Sequence, residues 1–572
     1  MVNLQRANLM LSSSPNPSVE TLLHAFLPHK FVDHTHSDAI MNVTNRPNGI
    51  TFCKKIFGKK VSIIPYVMPG YGLAQKIKEV YLKNPNINCL ILLNHGIFTF
   101  SNDAKESYDL MIKYVSDAEK AIKKLKRKKI KQIKSLNTKI TPAQIAPILR
   151  GLTSSDSKSK FILTFRNNKT LKYFINGVEV ARYSTEGTAT PDHVIRVKPF
   201  HLIIKPKLNS SVSEFEKTAK KAFINYRKKY LKYFEQNQKK VKEKKTMLDT
   251  SPRVIIVQNI GIFCVGNSLK AANIAADLTE TNARVISSVE ETAKYKFISK
   301  KDIFDVEYWS LEQAKLKKEK KELEGSIVVI TGAFGGIGTA TYKLFKKYGA
   351  EVILIDNNKK KVDEMSKKLN DLCIYCDVTN KESVKKAFNL ISSQFGGIDI
   401  LISNAGTATG GSIAEVSDKI LRKSFEDNFF SHQYCASEAT RIMKLQNNEG
   451  CLLFNISKQS VNPGKNFGPY GLPKSALLNL CKQYAVDYGS YGIRSNGVNA
   501  DRIRSGLLND KMIKSRAKAR EVSEAQYMSG NLLLNEVKAE DVAKAFFHLA
   551  VSKKTTGAIL TVDGGNIAAS MR

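Results

Sequence analysis

The sequence predicts an α/β protein in which an amino-terminal α/β region is followed by a doubly wound parallel sheet in the carboxy-terminal half. Three observations predict it. "SIVVITGAFGGIGTATYKLFKKYGAEVILID" reads as strand, glycine-rich turn, helix and strand. "NCLILLNHGIFTF" is an apolar strand that ends in Asn-His-Gly and leads into the helical pattern "NDAKESYDLMIKYVSDAEKAI". At 572 residues the chain is too long for one core, and its texture changes after the charged stretch "KLKKEKKELEG", which ends at Gly325. The expected divisions are 1–140, 141–320 and 321–572.

With 42% hydrophobic and 25% charged residues the composition is globular. No apolar run reaches the roughly eighteen residues of a membrane span. The start, "MVNLQRANLMLSSSPNPSVE", lacks a basic head followed by an apolar run, so no export signal is expected and the predicted location is the cytoplasm. The eight cysteines lie far apart except for Cys373 and Cys376 in "LCIYCDVT", a strand-like setting, and are expected to be free thiols. The formal charge of +38 comes from 90 Lys+Arg against 52 Asp+Glu. Its lysines are spread along the chain, with two runs at helical spacing, "EKAIKKLKRKKIKQIK" and "YRKKYLKYFEQNQKKVKEKK". Solvated helix faces are the favoured reading. A nucleic-acid surface and attraction of anionic substrates are the alternatives.

In the amino-terminal division, "FVDHTHSDAI" is strand-like, and a strand puts His34 and His36 on one face. They are either two polar residues on an exposed strand or the start of a metal site. His95, at the end of "NCLILLNH", can supply a third nitrogen, and three nitrogens with an open fourth position suit a catalytic zinc. Glu20, in "PSVETLLHAFLPHK", opens a helix just ahead. It is a candidate acid–base group beside the metal, or a first-turn carboxylate favoured by the helix dipole.

This constellation resembles the class II aldolase/adducin family. The resemblance implies that Glu20 is the acid–base glutamate and that His34, His36 and His95 are ligands of a zinc ion that polarises a ketose-phosphate carbonyl. In that family small-residue phosphate loops precede the glutamate, whereas here only "SSSPNPS", with Ser14 and Ser18, does so. The 1–140 region is therefore expected to be incomplete at its amino terminus, or to take that wall from a partner.

The middle division holds "RVIIVQNIGIFCVGNSLKAANIAADLTETNA", which reads like a second copy of the strand, turn and helix around His95. Gly96, Ile97 and Phe98 correspond to Gly261, Ile262 and Phe263, while His95 corresponds to Ile260. Upstream, "PDHVIRVKP" places Asp192-His193 where the first copy has Asp33-His34. Either this is a degenerate repeat that has lost its metal, or any strand–turn–helix would look alike.

In the third division Gly332, Gly336, Ile337 and Gly338 form the turn and helix start at which a backbone can close on a pyrophosphate. Asp356 ends the second strand, where a carboxylate accepts both ribose hydroxyls and repels a 2′-phosphate. NAD is therefore expected over NADP, although Lys359, Lys360 and Lys361 follow closely. Asp377 and Val378 in "CDVT", and Asn404, Ala405 and Gly406 at a strand end, complete the expected cofactor wall. Tyr470 and Lys474 stand one helical turn apart, so the ammonium favours the phenolate of a group whose ordinary pKa is about 10. Ser457, at a strand end, can hydrogen-bond the substrate oxygen. Asn428 lies within a helical stretch.

From Gly325 to Arg572 these motifs resemble the short-chain dehydrogenase/reductase family, with its Rossmann sheet. That resemblance implies Tyr470 as base, Lys474 tuning it, Ser457 positioning the substrate oxygen and Asn428 relaying protons. Two departures stand out: "NADRIRSGL", with Ala500-Asp501, replaces a usual Pro-Gly, and Pro473 lies inside Y-x3-K. The order of halves, with "IIPYVMPG", "HGIFTF" and "FDVEYWSLEQAKL", resembles the bifunctional rhamnulose-1-phosphate aldolase/lactaldehyde (alcohol) dehydrogenase family.

The resemblance implies a cytoplasmic bifunctional enzyme of deoxysugar catabolism that uses NAD and Zn2+. Its expected partners are a small hydroxy-aldehyde or alcohol and a sugar phosphate; a homo-oligomer is expected and no membrane. The alternatives are a sugar or polyol dehydrogenase carrying a non-catalytic aldolase-like scaffold, and a basic nucleic-acid-binding protein.

Overall fold

The computed structural model describes residues 2–134, 139–155, 159–314, 316 and 320–566. Part of the charged stretch before Gly325, and the tail beyond Asn566 of the expected 321–572 division, lie outside the described residues.

Three sheets carry the fold. The first contains β1 (Phe31–Thr35), β2 (Val61–Ile64), β3 (Cys89–Leu92) and β4 (Gly96–Ser101) in the order β1-β4-β3-β2. The second contains β5 (Ile162–Arg166), β6 (Leu202–Ile204), β7 (Val254–Val257) and β8 (Gly261–Gly266) in the matching order β5-β8-β7-β6. "NCLILLNHGIFTF" is thus a hairpin rather than one strand. Asn94, with φ 59°, supplies the left-handed residue that its tight turn needs, and Asn259, with φ 65°, does so in the second sheet.

The third sheet contains β9 (Ile327–Thr331), β10 (Glu351–Asp356), β11 (Cys373–Tyr375), β12 (Ile400–Ser403), β13 (Gly450–Asn455), β14 (Ile493–Ala500) and β15 (Ile559–Val562). All its pairings are parallel, in the order β11-β10-β9-β12-β13-β14-β15. Helices cover both faces, so β9 and β12 are buried along their whole length, as their Val/Ile/Leu runs require.

The register corrects the upstream half of the repeat reading. His34 of β1 pairs with Phe98, and the residue paired with the equivalent Phe263 is Phe165 of β5. Residues Pro191–His193 form a 3-10 turn and Val194–Val197 a short helix, not a strand. The hydrophobicity of "HVIRV" fits either; its place is decided by packing on the second core.

The basic runs are also only partly helical. The helix Ala104–Lys123 ends inside the first, so Lys124–Lys134 lies outside it. The helix Val212–Gln238 carries the second and buries Phe215, Phe223, Tyr226, Tyr230 and Tyr233 on one stripe, leaving Lys228 and Lys232 exposed. The eight cysteines are free. Among the described residues no helix is long and apolar enough to cross a membrane.

Candidate functional site

In the third sheet the strand order reverses between β9 and β12, and the crevice at their carboxyl ends is where such a sheet takes a ligand. A cavity of about 720 Å³ opens there, lined by Gly332, Gly336, Ile337, Asp356, Asp377, Val378, Asn404, Ala405, Gly406, Ser457 and Tyr470. Gly332 has φ +59°, and a Cβ on it would come within 2.9 Å of the Ala405 Cα. Gly338 does not line the cavity; its missing side chain lets the helix Gly336–Lys347 sit on the Gly332 carbonyl, 2.4 Å from where a Cβ would be.

The cofactor-wall residues divide into contact and support. The Asp356 carboxylate accepts from the backbone N–H groups of Phe334 (3.1 Å) and Asn358 (3.0 Å), which holds it at the lip of the glycine turn. Lys361 lines the same lip. Asn404 is a brace. Its amide donates to the carbonyls of Thr331 (3.1 Å) and Gly332 (3.2 Å), and its Oδ1 accepts from Asn455 (2.9 Å), tying together the ends of β9, β12 and β13. The Asp377 carboxylate closes its own turn by accepting from Thr379.

Tyr470 lies near the start of the helix Gly468–Tyr488, and its hydroxyl is hydrogen-bonded to Ser457. Pro473 lies in this helix beyond its first turn. Burial pushes the Tyr470 phenol up and the Ser457 hydrogen bond pulls it back only in part, so the phenol stands above its ordinary value, against the lowering expected from Lys474 alone. Lys474 Nζ is 5.8 Å from the centre of the Tyr470 ring and donates to the Asn455 carbonyl at 2.9 Å; burial brings its ammonium down to about 7. Asn428 sits in a π-helical turn, Glu426–Phe430, where the sequence suggested ordinary helix. Its Nδ2 donates to the Ser424 carbonyl at 3.1 Å, and its Oδ1 accepts from the Thr407 N–H at 3.2 Å. A Cβ on Gly406 would lie 2.8 Å from Asn428 Oδ1 and 3.7 Å from Lys474 Nζ, so that glycine lets the two polar groups stand behind the cavity floor.

Sequence reasoning missed Lys458. Next to Ser457, it forms an ion pair with Asp501 at 2.8 Å, which anchors the altered Ala500-Asp501 loop against the site. The odd Ala-Asp was the available signal.

The first sheet gathers the other predicted group. Nε2 of His34 and Nε2 of His36 are 3.0 Å apart, and the ligand atoms of His34, His36 and His95 all lie within 4.8 Å of one another. Glu20, the residue before the helix Thr21–Phe26, does not cap it with its side chain; its Oε1 lies 3.0 Å from His95 Nε2 and 3.6 Å from His34 Nε2. Burial holds the His34 imidazole down to about 3, leaving it neutral with a free lone pair. Its Nδ1 donates to the Ile97 carbonyl at 2.9 Å, which turns Nε2 to the centre.

This donor set fits zinc: tetrahedral Zn–N bonds of about 2.0–2.1 Å put neighbouring nitrogens about 3.3 Å apart. The buried Glu20 Oε1 faces the same centre, with His95 Nε2 as its near neighbour. Gly96, also missed as a site residue, makes this packing possible, since a Cβ there would lie 2.7 Å from the His34 ring and 2.9 Å from the His36 ring. His24 and His29 stay apart, packed on Phe98 and Phe100.

Comparison with known proteins adds the following. Residues 1–122 match the class II aldolase and adducin N-terminal domain, 140–316 the aldolase class II second domain, and 332–566 the enoyl-(acyl carrier protein) reductase family. An uncharacterized oxidoreductase of Bacillus subtilis (strain 168), YuxG, is 31% identical across 98% of this chain and 84% of its own length. Short chain aldehyde dehydrogenase 1 of Euphorbia lathyris is 31% identical over 43% of this chain and 89% of its own. The structure of Thermoplasma acidophilum aldohexose dehydrogenase is 27% identical, covering 42% of this chain and 94% of that one with a TM-score of 0.38.

Proposed function

The chain belongs to the family of oxidoreductases in which class II aldolase domains precede a short-chain dehydrogenase/reductase domain, and from that premise we propose a bifunctional enzyme of deoxysugar catabolism. Its carboxy-terminal site oxidises lactaldehyde, as the hydrate, or a related hydroxy-aldehyde or alcohol with NAD. Its amino-terminal site is a zinc-dependent aldolase for a deoxyketose 1-phosphate. The observation that carries the reading is the convergence of Tyr470 and Ser457 in the wall of one glycine-turned cavity, with Lys474 and Asn428 behind it.

NAD, when bound, supplies the hydride acceptor. Tyr470 Oη takes the substrate hydroxyl proton as the hydride leaves carbon, and Ser457 Oγ holds the substrate oxygen. The Lys474 ammonium favours the phenolate, and Asn428, behind the cavity floor, hands the proton on. Asp356 at the lip supports NAD, because it repels a 2′-phosphate; Lys361 beside it narrows that preference.

Zinc, when bound, supplies a Lewis acid for a ketose carbonyl. His34, His36 and His95 would hold it through Nε2, and Glu20 Oε1, beside them, would move a proton at the cleaved carbon–carbon bond. The +38 charge supports anionic, phosphate-bearing substrates.

The test feeds one site from the other. Zinc-loaded full-length chain is given rhamnulose 1-phosphate and NAD, and NADH is followed. Cleavage yields dihydroxyacetone phosphate and lactaldehyde, so NADH should appear without added aldehyde and cease after chelation. No NADH with either the sugar phosphate or lactaldehyde would contradict the proposal.

A further inference from the structure

One wall of the three-histidine site comes from the second α/β layer. Asp192, in the 3-10 turn Pro191–His193, places Oδ1 3.5 Å from His36 Nδ1. The other ring nitrogen, Nε2, faces His34 Nε2 at 3.0 Å. His36 therefore stands between a carboxylate and the shared centre. An imidazole that gives its Nε2 lone pair to a cation carries its proton on Nδ1, and that proton calls for an acceptor. His34 finds one in the Ile97 carbonyl. For His36 the acceptor in place is Asp192.

The segment that presents this carboxylate is clamped. The Thr190 hydroxyl donates to Asp192 Oδ1 at 2.6 Å. The Ala189 N–H donates to Asn282 Oδ1 at 2.9 Å, and the Ala189 carbonyl accepts from Asn45 Nδ2 at 2.8 Å. Asn282 Oδ1 also accepts from His193 Nδ1 at 3.0 Å, and the Tyr295 hydroxyl donates to the Thr188 carbonyl at 2.6 Å. Asn45 closes the helix Asp38–Thr44, which begins just after His36. One buried frame thus fixes both the carboxylate of the second layer and the imidazole of the first.

We propose that Asp192 is a positioning residue for His36, so that the metal site is built jointly by the first and second α/β layers. The second layer has no histidine cluster of its own among the described residues. It has Phe165 and Ile260 where the first has His34 and His95, yet it keeps the turn that backs His36. The inference rests on the metal reading of His34, His36 and His95.

The test uses metal-free full-length chain, titrated with Co2+ while the visible d–d bands are recorded, and with Zn2+ against a chromophoric chelator. Asp192→Asn should weaken Zn2+ binding about 10- to 100-fold and shift the Co2+ bands, and Asp192→Glu should restore most of both. The thermal midpoint of the metal-free variants, matching that of the unsubstituted chain, excludes a folding defect. Stoichiometric binding by the unsubstituted chain with Asp192→Asn unchanged in affinity and spectrum would overturn this proposal alone. Absence of binding by the unsubstituted chain would overturn the metal reading and this proposal together.

Discussion

Arg150 and Asp399 form a bidentate ion pair at 2.6 and 3.3 Å, and both side chains are only 1% exposed. The guanidinium comes from the helix Pro142–Ser154 of the second layer and the carboxylate from the head of β12 in the third sheet. Arg150 also donates to the carbonyls of Phe161 (2.6 Å) and Gly325 (3.0 Å), while Asp399 accepts from the Ile327 N–H (2.8 Å). The pair therefore joins the aldolase-like and dehydrogenase parts at the strand that begins the cofactor crevice.

Removing Arg150 leaves the buried Asp399 with the more exposed Lys160 ammonium, at 3.1 Å, as its remaining cation. Arg150→Met is expected to cost about 3–5 kcal/mol, read as lost amide-exchange protection in β12 and the helix Pro142–Ser154. Burial alone would raise the Asp399 carboxyl, but the Arg150 and Lys160 cations outweigh it and hold it at about 2. The folded value lies below the about 3.9 of an unfolded aspartate, so the contribution is complete above about pH 4 and is lost as pH falls toward about 2. Between pH 6 and pH 3 the unsubstituted chain should lose more stability than Arg150→Met.

Gly96 is where the two imidazoles rest on the backbone. Gly96→Ala drives a methyl into both rings and is expected to lower zinc affinity at least about tenfold, with NAD reduction at the distant site unchanged. Equilibrium dialysis with zinc measures the first and NADH absorbance the second. Unaltered zinc binding would mean that these rings do not hold the metal.

Asp356 is the expected discriminator between the two dinucleotides. Asp356→Ala removes the charge that faces a 2′-phosphate and leaves Lys361 in place. The ratio of kcat/KM for NAD over NADP should fall by about tenfold or more, the size of one charged hydrogen bond. An unchanged ratio would remove Asp356 from that role.

The proton chemistry makes a pH prediction. The buried Tyr470 phenol stands above its ordinary value, and the Lys474 ammonium is down to about 7. Oxidation should speed up with rising pH as the phenol ionises. Forming the phenolate supplies the opposite charge that holds the Lys474 ammonium above about 7, so Lys474→Met, which removes that coupled cation, should move the limb to higher pH. A profile that Lys474→Met leaves in place would show that the cation does not tune the phenol.

Much of the geometry at the two candidate sites was legible because it is local. The glycine turn, Tyr470 with Lys474, and His34 with His36 are each set by the spacing of one helix or strand, so their residue types speak directly. The hairpin around His95 was harder, since its turn depends on a left-handed Asn94 that the apolar run conceals. What the sequence could not show is non-local. Asp192 meets His36 only through a frame of buried amides, and Arg150 meets Asp399 across 249 residues. "PDHVIRVKP" was matched to the strand of His34 because its apolar residues suit either period, and the place of the His34 counterpart was taken by Phe165 of β5. The π-helical turn at Asn428 likewise has no signature in residue type.

The most direct measurement follows NADH formation by the purified full chain with lactaldehyde and NAD, alongside Tyr470→Phe. The phenylalanine variant should bind NADH as the unsubstituted chain does, by fluorescence, while kcat falls about 10²- to 10⁴-fold, the range of a lost general base. Equal turnover by the two proteins, or none by the unsubstituted chain with any hydroxy-aldehyde or alcohol, would contradict a dehydrogenase that works through Tyr470.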